Sequence, residues 1–344
     1  MAVVRRERLR RGSVAALEIC VIAALYFGAA KLGLLQQLVR DQVTPLWPPS
    51  GIAVASLLLL GPRIWPGIAL GAFLANASLG PSPLAVIAIM TGNTLAPVCS
   101  YALLRRVGFR NELDRLRDAL ALIFLGAFTG MLVSATVGTT SLVLSGGLSA
   151  GDFWPTWSVW WTGDAMGVLV VTPFLLVLRS AHRPRGASPV RWVEALLLLA
   201  ATAAVGVLEA SHAPLLFLGF PLLIWAAFRF QLAAAAPCAL AVSLFAIIAA
   251  AKRAGPFAGQ ELLIDMITLQ AFNGSAALTA LLLSAVVSER NENQREIARA
   301  CGQLAGMVAS VAAGDHHLLL GCAEDEEELP AEGPGTQQRP PPQF

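Results

Sequence analysis

Long apolar runs fill most of the chain, separated by short breaks rich in Arg, Pro and Gly. They lie near 14–35, 50–61, 65–79, 83–104, 118–144, 158–178, 192–209, 214–228, 232–251 and 263–287. A hydrocarbon core about 30 Å thick takes about 20 apolar residues per helix. The pattern predicts an all-α fold, a polytopic integral membrane helical bundle of about 8–10 transmembrane segments. Runs 50–61 and 65–79 are too short to cross comfortably. They flank Gly61-Pro62-Arg63 and are expected as tilted short helices or as a re-entrant pair covered by other helices.

Basic residues test this map, because cytoplasmic loops are rich in Lys and Arg. Arg5, Arg6, Arg8, Arg10 and Arg11 precede the first run. That run exceeds the about 7–15 apolar residues of a cleaved signal, so it reads as a retained anchor. Arg105, Arg106, Arg110, Arg115 and Arg117 share one loop. Arg179, Arg183, Arg185 and Arg191 share the second loop beyond it, and Arg290, Arg295 and Arg299 follow the last run. The loops at 36–48, 145–157 and 209–213 are poor in Lys and Arg; Lys252-Arg253 is the exception. Both termini are therefore expected in the cytoplasm.

Composition narrows the class. Charged residues make up 13% of the 344 residues and hydrophobic ones 56%, against roughly 25% charged in soluble domains. This excludes a soluble enzyme and a disordered protein. No basic patch with interleaved aromatics supports nucleic-acid binding. Cys20, Cys99, Cys238, Cys301 and Cys322 form no CxxC pair, so no zinc or redox motif is written here. Four histidines are too sparse for paired haem ligation. No metal or cofactor is expected, and His316-His317 with Cys322 makes a poor metal site. Four regions are expected: a basic cytoplasmic N-terminus at 1–13, the membrane part at 14–288, a polar, helix-prone extension at 289–322, and an acidic, Pro-rich disordered tail at 323–344.

Ionisable and amide side chains are costly in lipid, so those within the runs face the bundle interior. They are Asn76, Asn93, Asp164, Glu209, Asp265 and Asn273. Asp164 lies 7, 4 and 3 residues after Trp157, Trp160 and Trp161, which puts all four on one helix face. Gly163 and Gly167 leave room for a close neighbour. One reading is an aromatic-walled pocket with a carboxylate near the outer leaflet, suited to a cationic or hydroxylated ligand. The other is an interfacial aromatic belt, with Asp164 capping or pairing structurally. Arg63, Arg229, Lys252 and Arg253 are its candidate partners. Trp47-Pro48-Pro49-Ser50-Gly51 suits a helix start within the membrane, with Ser50 as cap. Such a break lines a binding cavity or forms a rigid interfacial loop. Asn76 and Asn93 are helix–helix glue or ligand-contacting amides. Ser134 to Ser141 places hydroxyls in mid-span, for tight packing or a permeation path.

Five of these segments together resemble a known family. They are LWPPSGIA (46–53), WPGIALGAFLAN (65–76), GNTL (92–95), SATVGTTSL (134–142) and WSVWWTGDAMGVLVVTP (157–173). Their order and spacing are similar to those of the bacterial membrane-associated sensor domain called MASE, type one, over roughly 14–290. The resemblance implies a multi-pass module of the bacterial inner (plasma) membrane that sits ahead of a histidine kinase or of domains making or degrading cyclic diguanylate. Its motif positions give Trp47, Pro48, Pro49, Asn76, Asn93, Trp161, Asp164 and Pro173 as candidate contacts, with Trp157 and Trp160 added by the shared helix face.

After the last run, Ser288-Glu289-Arg290-Asn291-Glu292 resembles the start of a signalling helix, with no GGDEF string or phospho-acceptor box after it. The chain is expected to be a stand-alone or truncated sensor. The expected function is a sensory input module that detects an unknown periplasmic or intramembrane stimulus and passes it through the last helix to a separate or missing kinase or diguanylate cyclase. Its expected partners are membrane lipids, an unidentified small ligand, that output protein and, by family analogy, a second copy. The alternative is a small-molecule transporter, which broken helices and intramembrane polar groups also suit. Enzymatic activity is not expected, because no nucleophile–base pair, paired carboxylates or metal ligands appear.

Overall fold

The computed structural model describes residues 2–34, 46–79, 82–180, 189–209, 216–258 and 262–326. Most of these residues are helical, with short turns between the helices and no strand among them. In chain order the helices are α1 (Ala2–Leu34), α2 (Pro48–Leu60), α3 (Trp65–Ala77), α4 (Pro83–Arg106), α5 (Leu116–Ala121), α6 (Leu132–Leu144), α7 (Phe153–Ser180), α8 (Pro189–Glu209), α9 (Gly219–Phe230), α10 (Leu232–Ala251) and α11 (Leu262–Glu326). Within the described residues the apolar runs of the sequence fall in helical segments. Among the described residues seven helical stretches are long and apolar enough to cross a membrane, and the fold is a polytopic helical bundle.

The short runs behave as their lengths require. Helices α2 and α3 each have 13 residues, roughly 20 Å of axis, short of a full crossing. Pro48 and Pro49 open α2 at positions where a missing N–H is harmless. Gly61 closes it at φ 84°, its N–H bonded to the Leu57 carbonyl, a backbone conformation that Gly adopts without steric cost. Pro62 then starts the single turn leading into α3.

One expected helix is not continuous. The run at 118–144 forms α5, then a π-helical stretch at Leu122–Thr129, then α6. Hydropathy does not distinguish the two kinds of turn, because both bury the same apolar residues.

Residues 1–289 form one compact unit and 290–344 another. Within the first, α2 packs on α7, α1 on α3 and α4 on α6. The α2–α7 contact is backbone against backbone. A Cβ added to Gly51 would overlap the Gly167 carbonyl oxygen, and one on Gly167 would overlap that of Trp47. The close approach expected of Gly167 is thus made by the start of α2. By contrast α8 turns Trp192, Val193, Leu196 and Leu197 outward, as a lipid-facing helix does. In the second unit α11 carries the ion pairs Arg295–Glu292 and Arg299–Glu292. Beyond Glu326 the tail lies outside the described residues.

Candidate functional site

Asp164 lies eleven residues into the 28-residue α7, roughly 17 Å along its axis. The carboxyl group is 1% exposed. A group so buried needs hydrogen-bond partners, and three elements supply them. Ser50 of α2 donates to Oδ1 at 2.5 Å. Ser134 of α6 donates to Oδ2 at 2.7 Å. The Trp160 side chain, one turn earlier on α7, also hydrogen-bonds to it.

The network continues outward from Ser134, whose Oγ lies 2.7 Å from Asn93 Oδ1 on α4. One hydroxyl has a single proton and cannot donate to two acceptors. The conflict disappears if the Asn93 amide is turned, so that its N–H donates to Ser134 while Ser134 donates to Asp164. Asn93 also hydrogen-bonds to the phenol of Tyr26 on α1, which in turn meets the Trp47 side chain. Indole N–H only donates. The hydrogen-bonded chain joins Trp47, Tyr26, Asn93, Ser134 and Asp164.

Backbone bonds fix the same corner. Trp47 N–H donates to the Gly163 carbonyl at 3.0 Å, and Thr172 Oγ1 donates to the Gly51 carbonyl at 3.0 Å. One N–H and one carbonyl at the broken start of α2 are thereby tied to α7, as irregular backbone in a membrane requires. Ser50, read from the sequence as the cap of α2, caps nothing; its proton goes to Asp164. None of the expected cations reaches the carboxylate through a hydrogen bond or ion pair. Arg63 instead binds Glu18 at 2.8 Å and Arg229 binds Glu194 at 2.5 Å. Two hydroxyls and an indole take the role assigned to them.

Trp157, Trp160 and Trp161 share a face of α7 but serve different neighbours. Trp160 lies over Gly138, where a Cβ would be 2.5 Å from the indole. Trp157 donates to Thr136 Oγ1 at 3.0 Å and stacks on Trp161 with centroids 5.7 Å apart. Trp161 donates to the Phe128 carbonyl at 2.8 Å. Pro48 and Pro49 set the start of α2 beside Asp164. Asn76 stands apart, its amide bonded to Ala72 of its own helix at 2.8 Å.

Tyr26 is the cluster member that the sequence reading missed. The chain holds only two tyrosines, and a tyrosine amid an aliphatic span needs a partner for its hydroxyl. That was the available signal. In the later helices Glu209, Asn273 and Ser243 are buried with side-chain oxygens that meet no hydrogen-bond partner among the described residues. His212, three residues after Glu209, lies outside the described residues. Among the described residues no three His, Cys, Asp or Glu side chains group as metal ligands. The Asp164 cluster joins hydroxyl, amide, phenol, indole and carboxyl groups. Its chemistry is hydrogen bonding across five helices.

Comparison with known proteins adds three findings. A family model described as MASE1 matches residues 18–291. The probable diguanylate cyclase DgcE of Escherichia coli (strain K12) is 29% identical over 200 residues, covering 55% of this chain and 17% of that protein. No solved structure matches.

Proposed function

Because the chain belongs to the MASE1 family, a membrane sensory domain found with diguanylate cyclases, we propose that it is a sensory input module whose signal controls a cyclase or kinase output. A periplasmic or intramembrane stimulus shifts the bundle between two arrangements, and α11 carries the shift to an output on a linked or separate chain. Only a difference in affinity between the arrangements can drive such a shift. The observation that carries the reading is the Asp164 cluster, in which one buried carboxyl group ties α2, α6 and α7 together and, through Asn93 and Tyr26, α4 and α1 as well. Movement of any one of these helices must break or exchange hydrogen bonds there.

Trp47, Pro48, Pro49, Asn93, Trp157, Trp160, Trp161 and Asp164 are the residues through which a ligand would act, with Asn76 at the margin. Both termini are cytoplasmic in this reading, in keeping with the Arg-rich loop at 105–117. A second copy of the chain is the natural neighbour of the second unit. There Ile297 and Leu304 repeat at a seven-residue interval and are 64% and 57% exposed, a spacing suited to a coiled coil.

A fusion of residues 1–291 to the cyclase portion of the relative, expressed in cells lacking other cyclases, tests the function. Asp164→Asn and Ser134→Ala should change cyclic diguanylate at equal membrane abundance. Unchanged output in both variants would remove the cluster from signalling. The broken backbone at α2 and α3 also fits a transporter; solute uptake into proteoliposomes holding this chain alone would favour that reading.

A further inference from the structure

The crossing at Leu116–Leu144 joins two distant points of the first unit through its π-helical stretch. At its far end, Ser134 of α6 enters the Asp164 cluster. At its near end, the Leu116 N–H donates to Glu289 Oε2 of α11 at 3.3 Å. Glu289 is the last residue of the compact unit. Any relative movement of α5 and α6 is therefore felt at both places.

A π turn contains one residue more than an α turn, and carbonyls along it point away from the ladder. Here two side chains from other helices hold those carbonyls. Ser100 of α4 donates to the Gly126 carbonyl at 2.7 Å, and Trp161 of α7 donates to the Phe128 carbonyl. Within the stretch Gly130 N–H bonds five residues back, to Leu125, at 3.0 Å. Gly130 has no room for a side chain, because a Cβ there would overlap Ser100 Oγ. The wide turn is thus kept open by donors outside it, and one of them, Trp161, lies a single turn from Asp164.

We propose that the π-helical stretch Leu122–Thr129 is a two-state turn coupling the Asp164 cluster to Glu289. Withdrawal of the Ser100 and Trp161 donors closes it to α geometry. Removing one residue's worth of π turn rotates α5 by about 100° against α6 and shifts it by about 1.5 Å. The Leu116 N–H then leaves Glu289, and the exit of α11 is released. The idea uses the sensory reading only for what drives the turn; the coupling itself is tested without a stimulus.

The experiment uses the full chain in native membranes, with the five native cysteines replaced by Ala and new ones introduced as Arg115→Cys and Ser288→Cys. Cross-linking by a short bis-maleimide reports the α5–α11 contact. Ser100→Ala with Trp161→Phe removes both donors and keeps the ring, and should lower cross-linking by about fivefold or more, since a hydrogen bond is worth about 1 kcal/mol. Deleting Phe124 in that double variant removes the extra residue, so the closed turn again faces α5 correctly and cross-linking returns. A misfolded double variant would not be rescued by a further deletion. Failure of the deletion to restore cross-linking, or a double variant that cross-links like its parent, overturns the proposal.

Discussion

Gly167→Ala probes the backbone contact that seats the start of α2. An ideal Cβ at 167 would overlap the Trp47 carbonyl oxygen and lie 2.8 Å from its carbon. Carbon atoms rest about 3.5–4.0 Å apart, so α2 and α7 must separate by about 1 Å. That opens the Trp47–Gly163 bond from 3.0 Å and the Ser50–Asp164 bond from 2.5 Å to beyond useful length. Two hydrogen bonds at about 1 kcal/mol each add to an overpacking cost of about 1–3 kcal/mol. The expected loss is about 3–5 kcal/mol, a large share of the about 5–15 kcal/mol that holds a typical protein folded. Gly28→Ala serves as control, because nothing lies within 4 Å of a Cβ there and Ala favours helix over Gly by about 1 kcal/mol. Unfolding in detergent, followed by the fluorescence of the eight tryptophans, measures both. A Gly167→Ala protein within about 0.5 kcal/mol of its parent would refute the close packing of α2 on α7.

Other substitutions separate the parts of the site. Asp164→Ala leaves three donors without their acceptor and should cost about 2–4 kcal/mol in the same assay, whereas Asp164→Asn keeps one acceptor and should cost less. Asp265→Asn alters a carboxyl group whose Oδ1 meets no hydrogen-bond partner, so its effect should fall below that of Asp164→Asn; the reverse order would deny Asp164 its special place. Ser134→Ala cuts the chain between Asn93 and Asp164 and should cost about 1–2 kcal/mol, with the Trp160 emission shifted. Arg63→Ala removes an ion pair whose arginine is 60% exposed and should cost less than about 1 kcal/mol; a larger loss would mean that Arg63 supports the bundle in another way.

Much of the site was legible in part. Asp164 stands out because a carboxyl group within an apolar run demands an interior position. Trp47-Pro48-Pro49 announces a helix start by proline chemistry alone. Gly167 signals a close neighbour but does not name it, and the neighbour proved to be the Trp47 carbonyl, 120 positions away in the chain. The proposed cations for Asp164 failed because opposite charge is only one way to satisfy a carboxyl group. Ser50 and Ser134, both visible as small polar residues, turned out to be its partners. The π turn left no trace, since its signal lies in the carbonyl partners Ser100 and Trp161 rather than in the stretch itself.

The sequence by itself determined that the chain enters a membrane, where its apolar runs lie and where proline and glycine break them. Transfer into lipid is a sum over neighbouring residues, and proline and glycine act on the backbone where they stand. Tertiary structure alone decided which side chains meet. Each residue turns a helix by about 100°, so one extra residue in the turn before Ser134, or a small rotation of α1, would separate Tyr26, Asn93, Ser134 and Asp164 while leaving every apolar run unchanged.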